Sequence, residues 1–335
     1  MRQSCAALTD QARLVAIDDE RLVALAADLA GELAAQPAAR DQPEPGPAPH
    51  PEVAASGGGP AGPDAVEAAV RRVVTLDAIN FGSGYHDVID KEPGRSGART
   101  MAARLGRALD ELDRQPPAAA LDWMRALTPA GCAAVFGQSL DHPEQAELMG
   151  LFTTALGQLG DFVAERHAGS FASLVEAADR SARSLTAALL AMPFYQDRAP
   201  VPELPSLEVH FYKRAQITAA DLARELPGWA PARFTDLSHL TAFADNLVPH
   251  VLRIDGVLRV DDAVVDDIDR GVLLPPGGRA ELELRAAGVE AVERLTRAIG
   301  RGDVRAMDID LALWERGGHP HYKAHRRHRT RGPFY

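Results

Sequence analysis

The sequence predicts a mainly α-helical protein with few short strands. Apolar residues recur every three to four positions along most of the chain, which is the spacing of amphipathic helices. No internal repeat and no series of strand–helix–strand units interrupts this pattern. The 335 residues are 46% hydrophobic and 25% charged, values typical of a soluble globular protein.

Residues that cap helices mark where the predicted helices begin. Residues 11–35 are rich in alanine and leucine and predict one helix, and a further helix follows Lys213. The segment Leu207–Lys213 alternates apolar and polar side chains, so it predicts a short extended stretch. The remaining predicted helices begin at Asp64 (with Glu67 as its capping partner), Asp141, Ser170, Thr235 and Asp303.

Composition divides the chain into three parts. Residues 36–63 are dense in proline, glycine and alanine, which predicts a disordered linker without a packed core. The linker separates a helical extension at 1–35 from a folded domain at 64–335.

Charge and cysteine content exclude several classes of protein. The net charge of −11 disfavours broad binding to nucleic acid or anionic membranes. Cys5 and Cys132 are too few for a disulfide framework or a thiolate zinc site. No apolar run approaches the ~20 residues of a membrane span, and the first ten residues lack the apolar core of a signal peptide. We therefore expect a cytoplasmic protein without a membrane partner.

The last 17 residues, 319–335, have the opposite charge from the rest of the chain. They contain five Lys or Arg and four His but no carboxylate. Arginine forks at Arg326, Arg327, Arg329 and Arg331 match phosphate oxygens, so the segment predicts an anion site. A solvated terminal tail is the alternative. The histidines have no acidic or thiolate ligand nearby, and we expect no metal.

Three charged residues occur among apolar neighbours. Lys213 shares the apolar side of its extended segment, and Asp245 and Asp310 lie within predicted helices beside apolar residues. Burying a charge is costly without a partner, so these residues form a candidate acid/base group. The alternatives are a lysine that extends to solvent and carboxylates in structural ion pairs.

The segment Asn80–His86 contains two glycines and three rings. It lacks the third glycine and the preceding strand of a dinucleotide-binding loop. Its aromatic residues are able to stack on a ligand ring, whereas the alternative is a glycine that ends a helix.

Several short motifs together resemble the queuosine salvage protein family, the queuosine 5′-phosphate N-glycosylases/hydrolases. Their order and spacing agree with the family over about residues 66–335. The motifs are Asn80-Phe81, Gly169-Ser-Phe171, Phe211-Tyr-Lys-Arg-Ala-Gln-Ile217, Phe243-Ala-Asp245 followed by Pro249, Asp310 four residues before Trp314, and His328-Arg-Thr-Arg331.

The resemblance implies a single helical domain related to helix-hairpin-helix DNA glycosylases, with no metal or organic cofactor. It implies hydrolysis of the N-ribosidic bond of queuosine 5′-phosphate, which frees queuine for tRNA modification. Lys213 and Asp245 match the family's active-site lysine and carboxylate, and Asp310 matches a further acidic position. We predict these three as catalytic residues, and as substrate contacts Asn80, Phe81, Tyr85, His86, Phe211, Arg214, Trp314, His328, Arg329, Arg331 and Tyr335.

Some positions depart from the family pattern, so the sequence does not determine which base the substrate carries. Many members have Asn-Phe-Ser-Phe-Trp where this chain has Asn80–His86, and tyrosines where it has Asn246, Leu311 and Ala312. Another purine-like nucleotide is therefore an alternative substrate. A non-catalytic tRNA-binding module and a helical interaction protein are further alternatives. We expect a small nucleotide as the partner and no stable nucleic-acid complex; the sequence does not predict the oligomeric state.

Overall fold

A computed structural model describes residues 1–35, 62–116 and 118–335. The described chain is mainly helical, as predicted, with two short antiparallel sheets of two strands each. The strands are β1 (Val15–Ile17), β2 (Arg198–Val201), β3 (Leu204–His210) and β4 (Leu258–Val260). The α-helices are α1 (Arg2–Thr9), α2 (Asp19–Ala35), α3 (Pro63–Ala78), α4 (Gly97–Leu112), α5 (Ala119–Ala126), α6 (Pro129–Phe136), α7 (Pro143–Arg166), α8 (Phe171–Glu176), α9 (Ala182–Leu189), α10 (Lys213–Glu225), α11 (Leu247–Ile254), α12 (Asp262–Arg270), α13 (Arg279–Ile299), α14 (Ala306–Arg316) and α15 (Pro320–Lys323).

The described residues form two compact units. The first unit contains residues 1–35, 197–216 and 238–335, and the second contains residues 62–116, 118–196 and 217–237. The predicted linker lies outside the described residues except for Gly62 and Pro63, where α3 begins. The predicted relation to helix-hairpin-helix DNA glycosylases and the predicted domain boundaries stay predictions. No helix of the described ranges combines the length and apolar character needed to cross a bilayer.

Helix α13 is the centre of the first unit. Helices α1, α2, α11 and α14 all pack against it, and its residues from Glu281 to Glu293 are buried. Small residues allow this close packing: a Cβ atom at Gly288 would lie 2.9 Å from the ring of Pro249. The α13 helix therefore supports α11 and α14, two of the helices beside the candidate site described below.

The N-terminal residues belong to the core of the first unit. Cys5, Leu8 and Leu29 are fully buried there. The prediction of one helix over residues 11–35 is wrong, because β1 precedes α2 and pairs antiparallel with β4. The buried carboxylate of Glu283 accepts the backbone N–H groups of residues 13–15 and holds this segment extended.

Helix α7 is the longest element of the second unit and packs against α3, α5, α6 and α8. It begins next to the predicted position, with His142 as its N-cap. Ser170 caps α8, as predicted, by accepting the N–H of Ser173 at 3.0 Å. Helix α8 ends at Glu176, because Asp179 and Arg180 adopt positive φ before α9 begins at Ala182.

The predicted capping pair at the start of α3 is also wrong. Gly62 is the N-cap, and Asp64 lies within the first turn of the helix. Glu67 instead accepts hydrogen bonds from the Ser170 hydroxyl and the next two backbone N–H groups. The carboxylate therefore joins α3 to the start of α8, a contact that local sequence does not reveal.

We predict that Leu29→Ala destabilises the first unit by about 3 kcal/mol, because it removes a fully buried side chain from the core. Val23→Ala on the same helix is the control, since Val23 is 63% exposed and its loss should cost under about 0.5 kcal/mol. Urea unfolding of both variants measures the difference. Equal stability would show that α2 is not part of this core.

Candidate active site

Lys213 lies where a strand turns into a helix. Strand β3 ends at His210, in agreement with the predicted extended segment, and α10 begins at Lys213. Tyr212, between them, has a left-handed backbone with φ of 51°. This conformation costs a residue with a Cβ atom about 1–2 kcal/mol, so neighbouring contacts must maintain it.

Asp197 supplies those contacts. Its backbone carbonyl accepts the N–H groups of Phe211 and Tyr212 at 2.9 and 3.2 Å. Its carboxylate Oδ2 accepts the N–H of Lys213 at 3.3 Å. Three consecutive backbone donors of the turn therefore bond to one residue, which determines where the Lys213 side chain begins.

Asp245 lies on an irregular segment rather than within a helix. The prediction of a helix from Thr235 is wrong, because only Leu237–His239 forms a single 3-10 turn before α11 begins at Leu247. Thr241 donates its backbone N–H to Gln216 Oε1 at 2.8 Å, and Phe243 donates to Asp310 Oδ1 at 2.8 Å. Side chains distant in sequence thus accept the N–H groups that backbone carbonyls would accept in a helix.

Lys213 and Asp245 form an ion pair. The Lys213 Nζ atom lies 2.9 Å from Asp245 Oδ2, and the lysine side chain is only 5% exposed. The Asp245 side chain is 21% exposed, and its second oxygen, Oδ1, accepts the N–H of Leu247 at 2.9 Å. The lysine is therefore enclosed, whereas the carboxylate is accessible from one side.

The surroundings of Asp245 keep it ionised. Burial by itself would raise the pKa of Asp245, but the Lys213 ammonium, the Leu247 N–H and the Arg327 guanidinium together hold the pKa below its usual value. Burial lowers the pKa of Arg327, and the charge of Asp245 opposes that change. Arg327 was one of four arginines in the predicted anion segment, and its position near Asp245 was not predicted.

Asp310 contacts the segment that carries Asp245 from a different helix. It lies on α14, which begins at Ala306 with Arg305 as N-cap and Asp308 in the capping box, so the predicted start at Asp303 is wrong. The Asp310 side chain is buried and accepts the N–H of Phe243, two residues before Asp245. Trp314, one turn further along α14, is partly buried against the core of the first unit.

Residues 328–335 pack against the first unit instead of forming a solvated tail. His328 and Tyr335 are each 2% exposed, and the His328 Nε2 atom lies 2.9 Å from the Tyr335 hydroxyl. Arg329 donates to the carbonyl of Gly271 at 3.2 Å, and its own carbonyl accepts the N–H of Leu274 at 2.8 Å. Arg331 is partly buried in the same segment.

Two other predicted contacts, Phe211 and Arg214, flank Lys213 in sequence and are both buried. The Phe211 ring lies beneath the Arg285 guanidinium, 3.9 Å from its central carbon. A cavity of about 60 Å³ is lined by Phe211, Arg285 and Tyr335 among others. Since ligand pockets measure about 300–1,000 Å³, this cavity is too small for a nucleotide.

Four predicted contacts, Asn80, Phe81, Tyr85 and His86, belong to the second unit. Phe81 packs edge-on against Phe152 with ring centroids 5.1 Å apart, and Tyr85 is fully buried. The predicted alternative of a glycine that ends a helix is wrong, because Ile79 is the C-cap of α3 and Gly82, with φ of 101°, is the N-cap of the 3-10 turn Ser83–Tyr85. Within the described ranges, no cluster of His, Cys, Asp or Glu is arranged to hold a metal ion.

Comparison with known proteins gives the family. The sequence profile described as "Queuosine salvage protein" matches residues 61–335. The chain belongs to the queuosine salvage protein family. This confirms the resemblance and extends its start by a few residues. The match leaves residues 1–60 outside it, although 1–35 contribute to the core of the first unit.

Several relatives carry the name queuosine 5′-phosphate N-glycosylase/hydrolase. The protein of Sphaerobacter thermophilus is 34% identical over 278 residues, which cover 81% of this chain and 83% of the relative. The Bos taurus protein is 29% identical, with 76% of this chain and 77% of the relative covered. The Mus musculus protein is 28% identical over 82% and 84% of the two chains.

Two buried histidines, His250 and His328, have pKa values well below the usual value. Burial lowers the pKa of His250 to about 4 and that of His328 to about 3, so both are neutral at pH 7. His250 also lies 2.9 Å from the Tyr322 carbonyl. In the unfolded chain both would titrate at about 6.5. The stability they contribute is therefore complete above that pH and is lost progressively below it.

We predict that the free energy of unfolding falls by about 1.4 kcal/mol per pH unit for each of these histidines between roughly pH 6 and 4. His250→Gln should make this fall less steep, because one of the two groups no longer titrates. Urea unfolding at several pH values measures the slope. His321→Gln, at an exposed position, is the control. An unchanged slope in His250→Gln would contradict the lowered pKa of His250.

Proposed function

We propose that this protein hydrolyses the N-ribosidic bond of queuosine 5′-phosphate and releases queuine. The observation that carries the proposal is the Lys213–Asp245 ion pair, in which an enclosed lysine holds a partly accessible carboxylate at 2.9 Å. The pair lies on two motifs of the queuosine salvage family. The names of the relatives supply the substrate.

Asp245 is suited to the ribose side of the reaction. Cleavage at C1′ passes through a transition state with positive charge on the sugar, which a nearby carboxylate stabilises. Asp245 is held ionised by its neighbours, as described above. In this role it stabilises the developing charge or orients the attacking water.

Lys213 is suited to the leaving base. A 7-deazapurine has no N7 to protonate, so its departure needs donors along the remaining edge. A lysine ammonium has three N–H donors, and Asp245 accepts from it in the observed ion pair. In this proposal the ammonium charge stabilises the departing base as it becomes anionic, while the same charge holds Asp245 in place.

Asp310 is buried on a helix, as the sequence predicted, and contacts the segment that carries Asp245. One of its oxygens accepts the N–H of Phe243 and so holds the segment that carries Asp245. We propose that this bond keeps Asp245 in position to contact Lys213. A direct contact between Asp310 and the base or its amine side chain stays a prediction.

The 5′-phosphate needs a cationic partner, and the arginines after His325 are the candidates. Arg327 is half-buried and lies within the electrostatic field of Asp245, so we add it to Arg329 and Arg331 as a proposed phosphate ligand. His328 is neutral and buried, and it is proposed to order this segment through Tyr335. Binding energy from a remote phosphate is used to hold C1′ in attacking geometry.

The sequence does not determine the base, since Asn246, Leu311 and Ala312 replace tyrosines that are frequent in the family. A panel of nucleoside 5′-monophosphates that includes queuosine's, with mass detection of the freed base, tests the assignment directly. Release of queuine alone supports it, whereas release of a different purine-like base transfers the same chemistry to another nucleotide. A cytoplasmic location and the lack of a stable nucleic-acid partner stay predictions.

We predict that Asp245→Asn lowers kcat at least about 1,000-fold, because the neutral amide no longer stabilises positive charge at C1′. Queuine release from queuosine 5′-phosphate measures kcat, and circular dichroism measures the fold. Asp255→Asn, at the opposite end of α11, is the matched control and should keep most of its activity. Near-normal turnover of Asp245→Asn would remove Asp245 from the mechanism.

We also predict that kcat/KM for the nucleoside queuosine is at least about 100-fold lower than for its 5′-phosphate, because charge-assisted hydrogen bonds to phosphate are lost. Arg327→Met should reduce this preference by weakening binding of the phosphate substrate alone. Steady-state kinetics on both substrates with both proteins measure the effect. Equal rates on the two substrates would show that the basic segment does not bind the phosphate.

A further inference from the structure

Arg285 is a buried charge that the proposed mechanism does not use. It lies in the N-terminal half of α13, and its side chain is 3% exposed. Its guanidinium contacts Asp197 through two bonds, from Nη1 to Oδ1 at 3.0 Å and from Nη2 to Oδ2 at 2.6 Å. The contacts of this group reach both segments that carry the ion pair.

The first of these segments is the turn before Lys213. Asp197 Oδ2, which accepts the short bond from Arg285, also accepts the N–H of Lys213. The carbonyl of Asp197 accepts the two preceding N–H groups of the turn. Because Tyr212 is held in a left-handed conformation there, a displaced Asp197 would release the turn and move Lys213.

The second segment is the irregular stretch before α11. Arg285 Nε donates to the carbonyl of Ala244 at 2.9 Å, and Ala244 directly precedes Asp245. The planar guanidinium of Arg285 therefore bonds to Asp197, which accepts the N–H of Lys213, and to the carbonyl of the residue before Asp245. Its planar shape fixes the angle between the two segments, which a flexible lysine ammonium does not do.

The guanidinium plane is itself held in position. Its central carbon lies 3.9 Å from the centroid of the Phe211 ring and 5.3 Å from that of Tyr335. Glu281, one turn earlier on α13, accepts a bond from Arg285 Nη1 at 3.2 Å. The side chain has several directional contacts and little freedom to rotate.

We propose that Arg285, with Asp197, is a positioning pair that sets the geometry of Lys213 and Asp245. The proposal rests on the proposed function, because it assigns the pair to the same site. Arg285 acts through Asp197 and the Ala244 carbonyl, so its loss should affect turnover more than substrate affinity.

The test uses the full chain with Arg285→Lys, which keeps the charge and removes the fork. Asp197→Asn is a second variant that keeps the shape and removes the charge, in case the first does not fold. Each variant should lower kcat by about 100-fold, the loss expected when reacting groups shift by about 1 Å, with KM within a few-fold of the wild type. Hydrogen exchange should rise in segments 211–213 and 243–247.

Arg279→Lys is the matched control on the same helix. Arg279 pairs with Glu283 and donates to the carbonyls of Gln11 and Pro202, so it holds the N-terminal segment instead of the site. This variant should raise exchange in residues 11–15 and leave kcat unchanged. If Arg285→Lys and Arg279→Lys lose kcat to the same degree, Arg285 contributes only to the stability of the protein, and the proposal is overturned.

The two readouts separate this proposal from the proposed function. If the wild type does not release queuine, the proposed function fails, and exchange at 211–213 and 243–247 still reports whether Arg285 orders these segments. If the wild type is active and a folded Arg285→Lys or Asp197→Asn variant keeps its kcat or its exchange pattern, the positioning proposal fails alone.

Discussion

The ion pair between Lys213 and Asp245 joins an enclosed ammonium group to a carboxylate that is accessible from one side. Desolvation of each ion costs several kcal/mol, and mutual attraction offsets this cost only when the geometry is favourable. The 2.9 Å contact between Nζ and Oδ2 satisfies that condition. Much of the surrounding structure serves to bring two segments, distant in sequence, to this separation.

Side chains perform this task where regular secondary structure does not. The segment before α11 has its backbone donors bonded to Gln216 and Asp310, and the turn before α10 has its donors bonded to Asp197. Irregular backbone buried in a core requires such partners, because an unpaired N–H group there costs about as much as a lost hydrogen bond. The same bonds make the site rigid, which is the state that positioned charges need in catalysis.

Sequence patterns predicted the parts of this protein that depend on local spacing or on short motifs. The apolar period predicted a mainly helical chain, and the alternation at Leu207–Lys213 predicted the strand that leads to Lys213. The string Phe211–Ile217 indicated the family and, with it, the lysine and carboxylate of the candidate site. These inferences needed no information on which segments meet in space.

Only the tertiary structure decided features whose partners are far apart in sequence. Asp245 was predicted to lie within a helix, because its apolar neighbours have helical spacing; the actual backbone depends on the side chains of Gln216 and Asp310. Arg285 resembles any arginine on an amphipathic helix until its contacts with Asp197 and Ala244 are seen. The periodicity of apolar residues indicates which face of an element is buried. The partner of a buried charged side chain, in contrast, depends on the packing of the whole unit.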